Sequence, residues 1–336
     1  MKKLLSILLA SCVLTGALCA CSTESTESTE ASSEETTTTA EETTEETTEE
    51  TEESSEESQE EDGFYPFDYT DAYGNTVTIE GPAEKIVSVS PAMTEIIFAL
   101  GEGDRLVGRS DYCDYPAEVF DIEAVGPIDL PDTELIVSLE PDLVIASSIF
   151  SEEAYNALTD AGITVAIVRD ESSFEGMFEV VQEVADLIGI PEEGAAYVED
   201  LEAAYDEIAT EPSEDAPSVY YCMSYGEYGD YTAGADTFIN DIIEAAGAVN
   251  AAADIEGWSI STEALLEADP DYILVPAWGY DDFLVTEPYT ELTAVAEGRV
   301  IAIDNNMFER QGPRNIEAVE LIQAAIASAS DVEEAA

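Results

Sequence analysis

Histidine is absent from all 336 residues, and that omission removes most familiar catalytic chemistry. Serine and cysteine nucleophiles have no imidazole base, and no imidazole can ligate a metal. A Gly-x-Ser-x-Gly elbow is missing, and residues 101–106, GEGDRL, lack the third glycine of a dinucleotide loop. Calcium-loop spacing of the D-x-D-x-D-G kind does not occur. The chain is therefore read as a non-enzyme, with no catalytic residue and no metal-ligand set assigned. What remains is the chemistry of recognition. Tyr225, Tyr228 and Tyr231 lie in a glycine-rich stretch after an apolar run at 218–223, and Trp278 with Tyr280 follows another at 272–275. If those runs are strands of a parallel sheet, the rings stand at the strand ends where such sheets bind ligands. Aromatic rings give large contact area at small entropic cost, which suits bulky, flat or greasy guests. Some of these rings must also serve as core or rim.

A short repeat is the second signal. Thr133-Glu134 stands ahead of Pro141-Asp142, and Thr262-Glu263 ahead of Pro270-Asp271, with seven residues from glutamate to proline each time. A helix start followed by a turn and a strand explains the residue types, but it explains the shared spacing less well. Two equivalent halves explain both.

Those halves need a connector. Residues 191–211, PEEGAAYVEDLEAAYDEIATE, have Pro191 for the first helical turn, Glu192 and Glu193 for its positive end, and Pro212 as a stop. Tyr197, Leu201, Ala204, Tyr205 and Ile208 recur at helical spacing, with acids opposite. About 20 residues at 1.5 Å each span roughly 30 Å, the width of a small domain. A β/α alternation precedes this stretch and another follows, so it is read as a rigid strut between two lobes. One more helix in a single doubly wound sheet is the alternative.

In the first lobe, residues 67–79 form an edge hairpin around Gly74-Asn75. Strands at 85–90, 105–108, 142–146 and 163–168 alternate with helices at 91–101, 132–138, 151–161 and 173–188. The second lobe has strands at 218–223, 272–275 and 300–303 and helices at 236–246, 261–267, 288–296 and 313–329. Such alternation means parallel sheets with right-handed crossovers. The expected fold is thus α/β: two Rossmann-like lobes with parallel sheets, at 63–190 and 212–330, joined by one long rigid helix at 191–211, with a ligand cleft between the lobes.

Residues 1–21 are address. Lys2 and Lys3 precede an apolar run at 4–18, shorter than the roughly 20 residues a membrane span needs. Residues 18–21, LCAC, resemble a bacterial lipobox in which Cys21 is diacylated and becomes the N-terminus; a second match at 9–12 comes too early to leave a full apolar region. The protein is then extracytoplasmic and lipid-anchored to the outer face of the cell membrane. Residues 22–62 hold 17 Glu, one Asp and no basic residue, a composition that cannot bury a core and repels itself. They are expected to form a disordered acidic Ser/Thr/Glu tether. Beyond the signal only Cys113 and Cys222 remain, 109 positions apart. An exported chain can pair them, but two free thiols are expected.

Residues 63–336 carry 59 acids against seven bases: Lys85, Arg105, Arg109, Arg169, Arg299, Arg310 and Arg314. Coulomb repulsion excludes nucleic acid as a partner and disfavours a strongly anionic ligand.

Residues 85–101 (KIVSVSPAMTEIIFALG), 107–116 (VGRSDYCDYP), the Glu134 and Glu263 repeats and 306–314 (NMFERQGPR) resemble a known family in that order around the strut. It is the family of two-lobed substrate-binding proteins of ABC importers for iron complexes and vitamin B12, and the likeness covers roughly residues 64–330. The resemblance implies a ligand held between lobes without large hinge motion. It also implies a permease dimer with its ATPase as partner, gripped by one glutamate from each lobe; Glu134 and Glu263 match those two. Tyr112 falls where vitamin B12 binders have a cleft tyrosine, Trp258 near a cleft tryptophan, Arg310 at a ligand-facing arginine and Arg314 at a helix-starting Pro-Arg. Two further cleft tryptophans of those binders align with Ile128 and Ser147, a departure that bears on the ligand. The binding residues so assigned are Tyr112, Tyr225, Tyr231, Trp258, Trp278 and Arg310.

Ferric catecholates and citrate would want a cluster of arginines, and only Arg109, Arg310 and Arg314 are candidates for the cleft. Haem would want His or Tyr on iron and arginine for its propionates. A near-neutral chelate fits the charge count better, either a corrinoid or a hydroxamate ferric siderophore, with the corrinoid favoured. The chelate is cargo, and no cofactor is covalently held. A haem-binding member of the same family, or a lipid-anchored ligand sensor without transport, are the alternatives.

Overall fold

The computed structural model describes residues 66–227 and 229–334; the signal with Cys21, the tether at 22–62 and Tyr228 lie outside the described residues. Strands β1 (Phe67–Thr70) and β2 (Thr76–Ile79) form an antiparallel hairpin. Its turn closes on the Asp71 carboxylate, which accepts the amides of Tyr73 and Asn75, while Gly74 takes the left-handed conformation. Expected at a sheet edge, the hairpin is a separate ribbon fastened there by the Ala72 amide, which donates to the Ile167 carbonyl at 2.8 Å.

The first lobe then runs β3 (Ile86–Ser88), α1 (Pro91–Ala99), β4 (Leu106–Arg109), α2 (Thr133–Leu139), β5 (Leu143–Ser147), α3 (Glu152–Asp160), β6 (Val165–Val168) and α4 (Phe174–Ile188). Its sheet is parallel throughout, in the order β4-β3-β5-β6. The strands are buried along most of their length and mostly apolar because helices cover both faces. Pro91 opens α1 without a lost hydrogen bond, and Gly101, at φ 84°, turns the chain away after it.

Helix α5 (Pro191–Ile208) follows. The second lobe comprises β7 (Ser218–Tyr221), β8 (Asp230–Tyr231), α6 (Phe238–Ala245), β9 (Val249–Asn250), β10 (Ser259–Ile260), α7 (Thr262–Ala268), β11 (Tyr272–Pro276), α8 (Tyr280–Phe283), α9 (Thr293–Ala296), β12 (Val300–Ile303), α10 (Asn306–Glu309) and α11 (Arg314–Glu334). Its parallel sheet has the order β12-β11-β7-β9, and β8 with β10 forms a short antiparallel ladder. In each lobe the first strand lies between the second and third, and the fourth flanks the third.

The sequence repeat is this topology written locally. Asp132 and Ser261 cap α2 and α7 by accepting the amides of Leu135 and Ala264. Both helices end on a left-handed non-glycine residue, Glu140 at φ 51° and Asp269 at φ 37°, directly before the proline. Asp142 then accepts the amides of Glu84 and Lys85, and Asp271 accepts that of Ser218, so each lobe's third strand is tied to the start of its first.

Two expectations change. The helix expected at 288–296 is a 3-10 turn (Tyr289–Glu291) and α9, separated by an extended Leu292 and restarted by Asp269, which accepts the Thr293 amide. Helix α5 buries Leu201 and half-buries Tyr197, Tyr205 and Ile208, but Ala204 is exposed. The helix ends at Ile208 because the Thr210 amide leaves it for the Ala245 carbonyl at 2.8 Å.

Behind the lobes the apolar core is continuous. Phe174 of α4 lies 4.3 Å from the Tyr205 ring and 5.3 Å from that of Phe238 on α6. Asp241 of α6 caps α4 by accepting the Phe174 amide at 2.7 Å. Burial outweighs that bond and, with Glu244 and Glu211 nearby, raises the Asp241 pKa above the usual aspartate range. A carboxyl raised on folding gives stability that is full below its unfolded pKa of about 4 and lost as pH rises through the folded value. Asp241→Asn keeps an acceptor without the charge. Its melting temperature should exceed the wild type's at pH 7, with the gap closing toward pH 4; calorimetry showing the reverse order would contradict this account.

Candidate functional site

The loops after the parallel strands of the two lobes meet. From the first lobe come residues 110–116 after β4 and 169–173 after β6; from the second come 222–227 after β7, 277–279 after β11 and 304–313 after β12. A crevice of about 370 Å³ opens where residues 170–172 of the first lobe face the segments 236–239 and 308–311 of the second, with Asp170 and Glu171 on one wall and Trp258, Phe308 and Gln311 on the other; of the assigned binding residues only Trp258 lines it. Its lining is acidic and aromatic.

The assigned binding residues fall into three pairs. Tyr231 and Trp258 are joined by the β8–β10 ladder, where Tyr231 faces Ser259 and the Thr232 amide donates to the Trp258 carbonyl at 3.1 Å. Tyr225 and Trp278 are joined through Gly279, whose carbonyl accepts the Tyr225 hydroxyl at 2.7 Å. The Tyr225 ring packs edge-on to Phe283 and Tyr289, so it forms a wall. Tyr112 and Arg310 are joined across the lobes, the guanidinium donating to the Tyr112 carbonyl at 3.1 Å. Tyr112, Tyr231, Trp258 and Trp278 are exposed by 59, 40, 45 and 71 %, large apolar area for a free surface.

Arg310 is not a free cation. Its Nη1 reaches Glu95 Oε1 at 2.8 Å and Asp114 Oδ1 at 2.6 Å. Arg314 grips the same Glu95 through Nε and Nη2, each at 2.7 Å, reaches Asp304 at 3.0 Å and lies over the Tyr115 ring at 4.2 Å. Glu95 belongs to α1 of the first lobe, and both arginines to the second. Two more ties flank this cluster: Asn306 donates to Asp114, and Gln311 exchanges hydrogen bonds with the Glu171 backbone. Arg109, the third cleft candidate, is buried; it donates to the Val119 and Ser110 carbonyls and lies over Phe120.

Glu134 and Glu263 occupy the same place in their lobes, the second residue of α2 and of α7. Both are exposed, and neither joins an ion pair among the described residues. Cys113 and Cys222 are free, buried thiols, as expected. Burial, followed by the charge of Asp230, pushes Cys222 up to about 12.

Residues 86–307 match the periplasmic binding protein family. The chain belongs to that family. Among its relatives is the ABC transporter substrate-binding lipoprotein YvrC of Bacillus subtilis, 35 % identical over 78 % of this chain and 86 % of that one. The cobalamin-binding protein of Halobacterium salinarum is 30 % identical over 75 % of this chain and 72 % of its own length. Of solved structures, the periplasmic haem-binding protein RhuT of Roseiflexus sp. RS-1 in its apo form is 30 % identical. It covers 72 % of this chain and 97 % of its own, with a TM-score of 0.66.

In this periplasmic binding protein, sequence reasoning missed Glu95, Asp114 and Asp304. Glu95 had one visible signal, a lone acid inside the apolar run 86–100. Removing a buried carboxylate shared by two guanidiniums leaves each with only a half-exposed partner, Asp114 or Asp304, at a cost of up to about 3–5 kcal/mol. Asp114, with its side chain 48 % exposed, is worth about 1 kcal/mol or less. Glu95→Ala should therefore lower unfolding free energy in urea several times more than Asp114→Ala. Equal effects would mean that the arginines do not depend on Glu95.

Proposed function

We propose that this chain is the substrate-binding component of an ABC importer and that it captures a near-neutral metal chelate, foremost a corrinoid. One observation supports the ligand class: the two cleft arginines face three carboxylates, Glu95, Asp114 and Asp304. Neither arginine is left to neutralise an anionic guest, and the crevice adds Asp170, Glu171 and Glu309. A polyanionic catecholate or citrate complex would meet net repulsion. A corrinoid instead needs flat apolar area, which Tyr112, Tyr231, Trp258 and Trp278 offer. The crevice lies near the low end of small-molecule pockets, so a bulky chelate extends beyond it onto these rings. Arg310 then acts as the support of the Tyr112 loop, and Tyr225 as the wall behind Trp278.

Glu134 and Glu263, exposed at matching helix starts, are the proposed grips for a dimeric permease that presents the same basic patch twice. Cys21 is the proposed lipid anchor, and the acidic tether lets the lobes range above the membrane. Among the described residues no helix is long and apolar enough to cross a membrane. The chain supplies recognition without catalysis. Haem is the second reading, favoured by the exposed tyrosines, which can ligate ferric iron.

Titration of cyanocobalamin, haemin and a ferric hydroxamate against the protein, followed by tryptophan emission and the visible spectrum, decides among these. Cyanocobalamin should quench, and Tyr231→Ala or Trp258→Ala should weaken it about tenfold or more, in line with truncated aromatic anchors. Haemin with a shifted Soret band and no cyanocobalamin response would make haem the ligand. Replacing both Glu134 and Glu263 by alanine should keep affinity and abolish uptake of labelled ligand in cells. Uptake that persists would remove both glutamates from docking, and uptake that does not depend on the wild-type chain at all would favour a sensor without transport.

A further inference from the structure

The β8–β10 ladder runs into α7 with only the cap residue between them. Tyr231 pairs with Ser259 and Asp230 with Ile260; Ser261 is the cap of α7, Thr262 its first residue and Glu263 its second. Beneath this junction Asp230 is 4 % exposed and meets no cation among the described residues. It is held by two hydroxyls: Oδ1 accepts from Tyr289 and Oδ2 from Thr262. The Tyr289 hydroxyl in turn accepts the Gly226 amide at 3.0 Å, so the glycine-rich loop hangs on the same carboxylate. A buried carboxylate with so few donors cannot lose one cheaply, which makes each bond a stiff link. The first lobe joins its cleft loop to α2 otherwise, through backbone alone. There the Asp111 amide donates to Gly126 and the Asp132 amide to Val125, each at 2.8 Å.

Resting on the docking role given above to Glu263, we propose that Asp230 is a positioning residue that couples the cleft rings to the docking helix, fixing Glu263 relative to Tyr231 and Trp258 through Thr262. A guest that presses on Tyr231 or Trp258 shifts the ladder, and the Asp230–Thr262 bond carries that shift into the first turn of α7. The second lobe thereby reports occupancy to the partner, while the first lobe's glutamate serves as a fixed reference.

Hydrogen–deuterium exchange on the full-length protein tests this without ligand. The reporters are the Ala264 and Leu265 amides, which bond to the Ser261 side chain and carbonyl. Tyr231→Ala should speed their exchange severalfold when residue 262 is threonine or, in Thr262→Ser, serine, and should have no effect in the Thr262→Val background. Amides that ignore Tyr231→Ala, or that respond equally in Thr262→Val, would overturn the coupling. Should Thr262→Val fail to fold, Tyr289→Phe frees Asp230 from its other donor while keeping the ring. It should by itself speed the same amides, and their indifference would count equally against the proposal. Saturating cyanocobalamin should slow them in the threonine protein and in Thr262→Ser, but not in Thr262→Val. If wild type binds no cyanocobalamin, the ligand proposed above fails and the Tyr231→Ala comparison decides the coupling.

Discussion

The Glu95 carboxylate, held between the guanidiniums of Arg310 and Arg314, is the interaction on which the two-lobed arrangement depends. It joins the first helix of one lobe to the last segment of the other, across 215 and 219 positions of sequence. A buried charge is costly unless its partners are well placed, so such a cluster adds little net stability but admits few geometries. Here it sets the distance between lobes at the cleft side. On the opposite side Phe174, Tyr205 and Phe238 set it by packing. The lobes are thus tied to each other at front and back. A guest bound between them, as proposed above, would meet a prepared surface, with the ordering cost falling on folding rather than on binding.

That use of arginine is notable in a chain with 59 acids and seven bases beyond residue 62. Arg105 pairs with Glu102 and donates to the Ala83 and Ile188 carbonyls, while Arg299 pairs with Glu297 and donates to the Asp271 carbonyl. Lys85 meets Glu140, and Arg109 holds the loop that carries Tyr112. Arg169, exposed after β6, lies close enough to Tyr69 and Glu183 to bias their ionisation. Arg105, Arg109, Arg299, Arg310 and Arg314 thus fasten the chain to itself, while Lys85 and Arg169 stay exposed. On the ligand proposed above, a cleft of rings and acids would select against anions by charge and for flat apolar guests by area.

The parts of this molecule that were legible in sequence are those whose chemistry is local. Pro91 and Gly101 bound α1 because each satisfies a backbone need within one turn, and the Thr-Glu to Pro-Asp repeat marks caps and turns that close over a few residues. The apolar runs 85–90 and 272–275 became buried strands for the same reason. What stayed hidden was set by partners far along the chain. Arg310 looked like a ligand cation because nothing near it in sequence announces Glu95 or Asp114. The stripe on α5 was right for Leu201 and Tyr205 and wrong for Ala204, since α4 and α11 cover only part of that face. The β8–β10 ladder, two residues on each side, is too short to leave an alternating pattern.

The pseudo-twofold relation also shows where the lobes have diverged. Topology, caps and the left-handed residues before Pro141 and Pro270 agree closely, which is expected where a symmetric partner fixes one face. The cleft face is under no such constraint, because one guest touches the lobes at different groups. There the first lobe uses a buried arginine and backbone hydrogen bonds to hold its loop, and the second a buried aspartate with two hydroxyls. On the docking role proposed above, similarity at α2 and α7 and difference at the cleft are what two jobs, one symmetric and one not, would leave on a duplicated lobe.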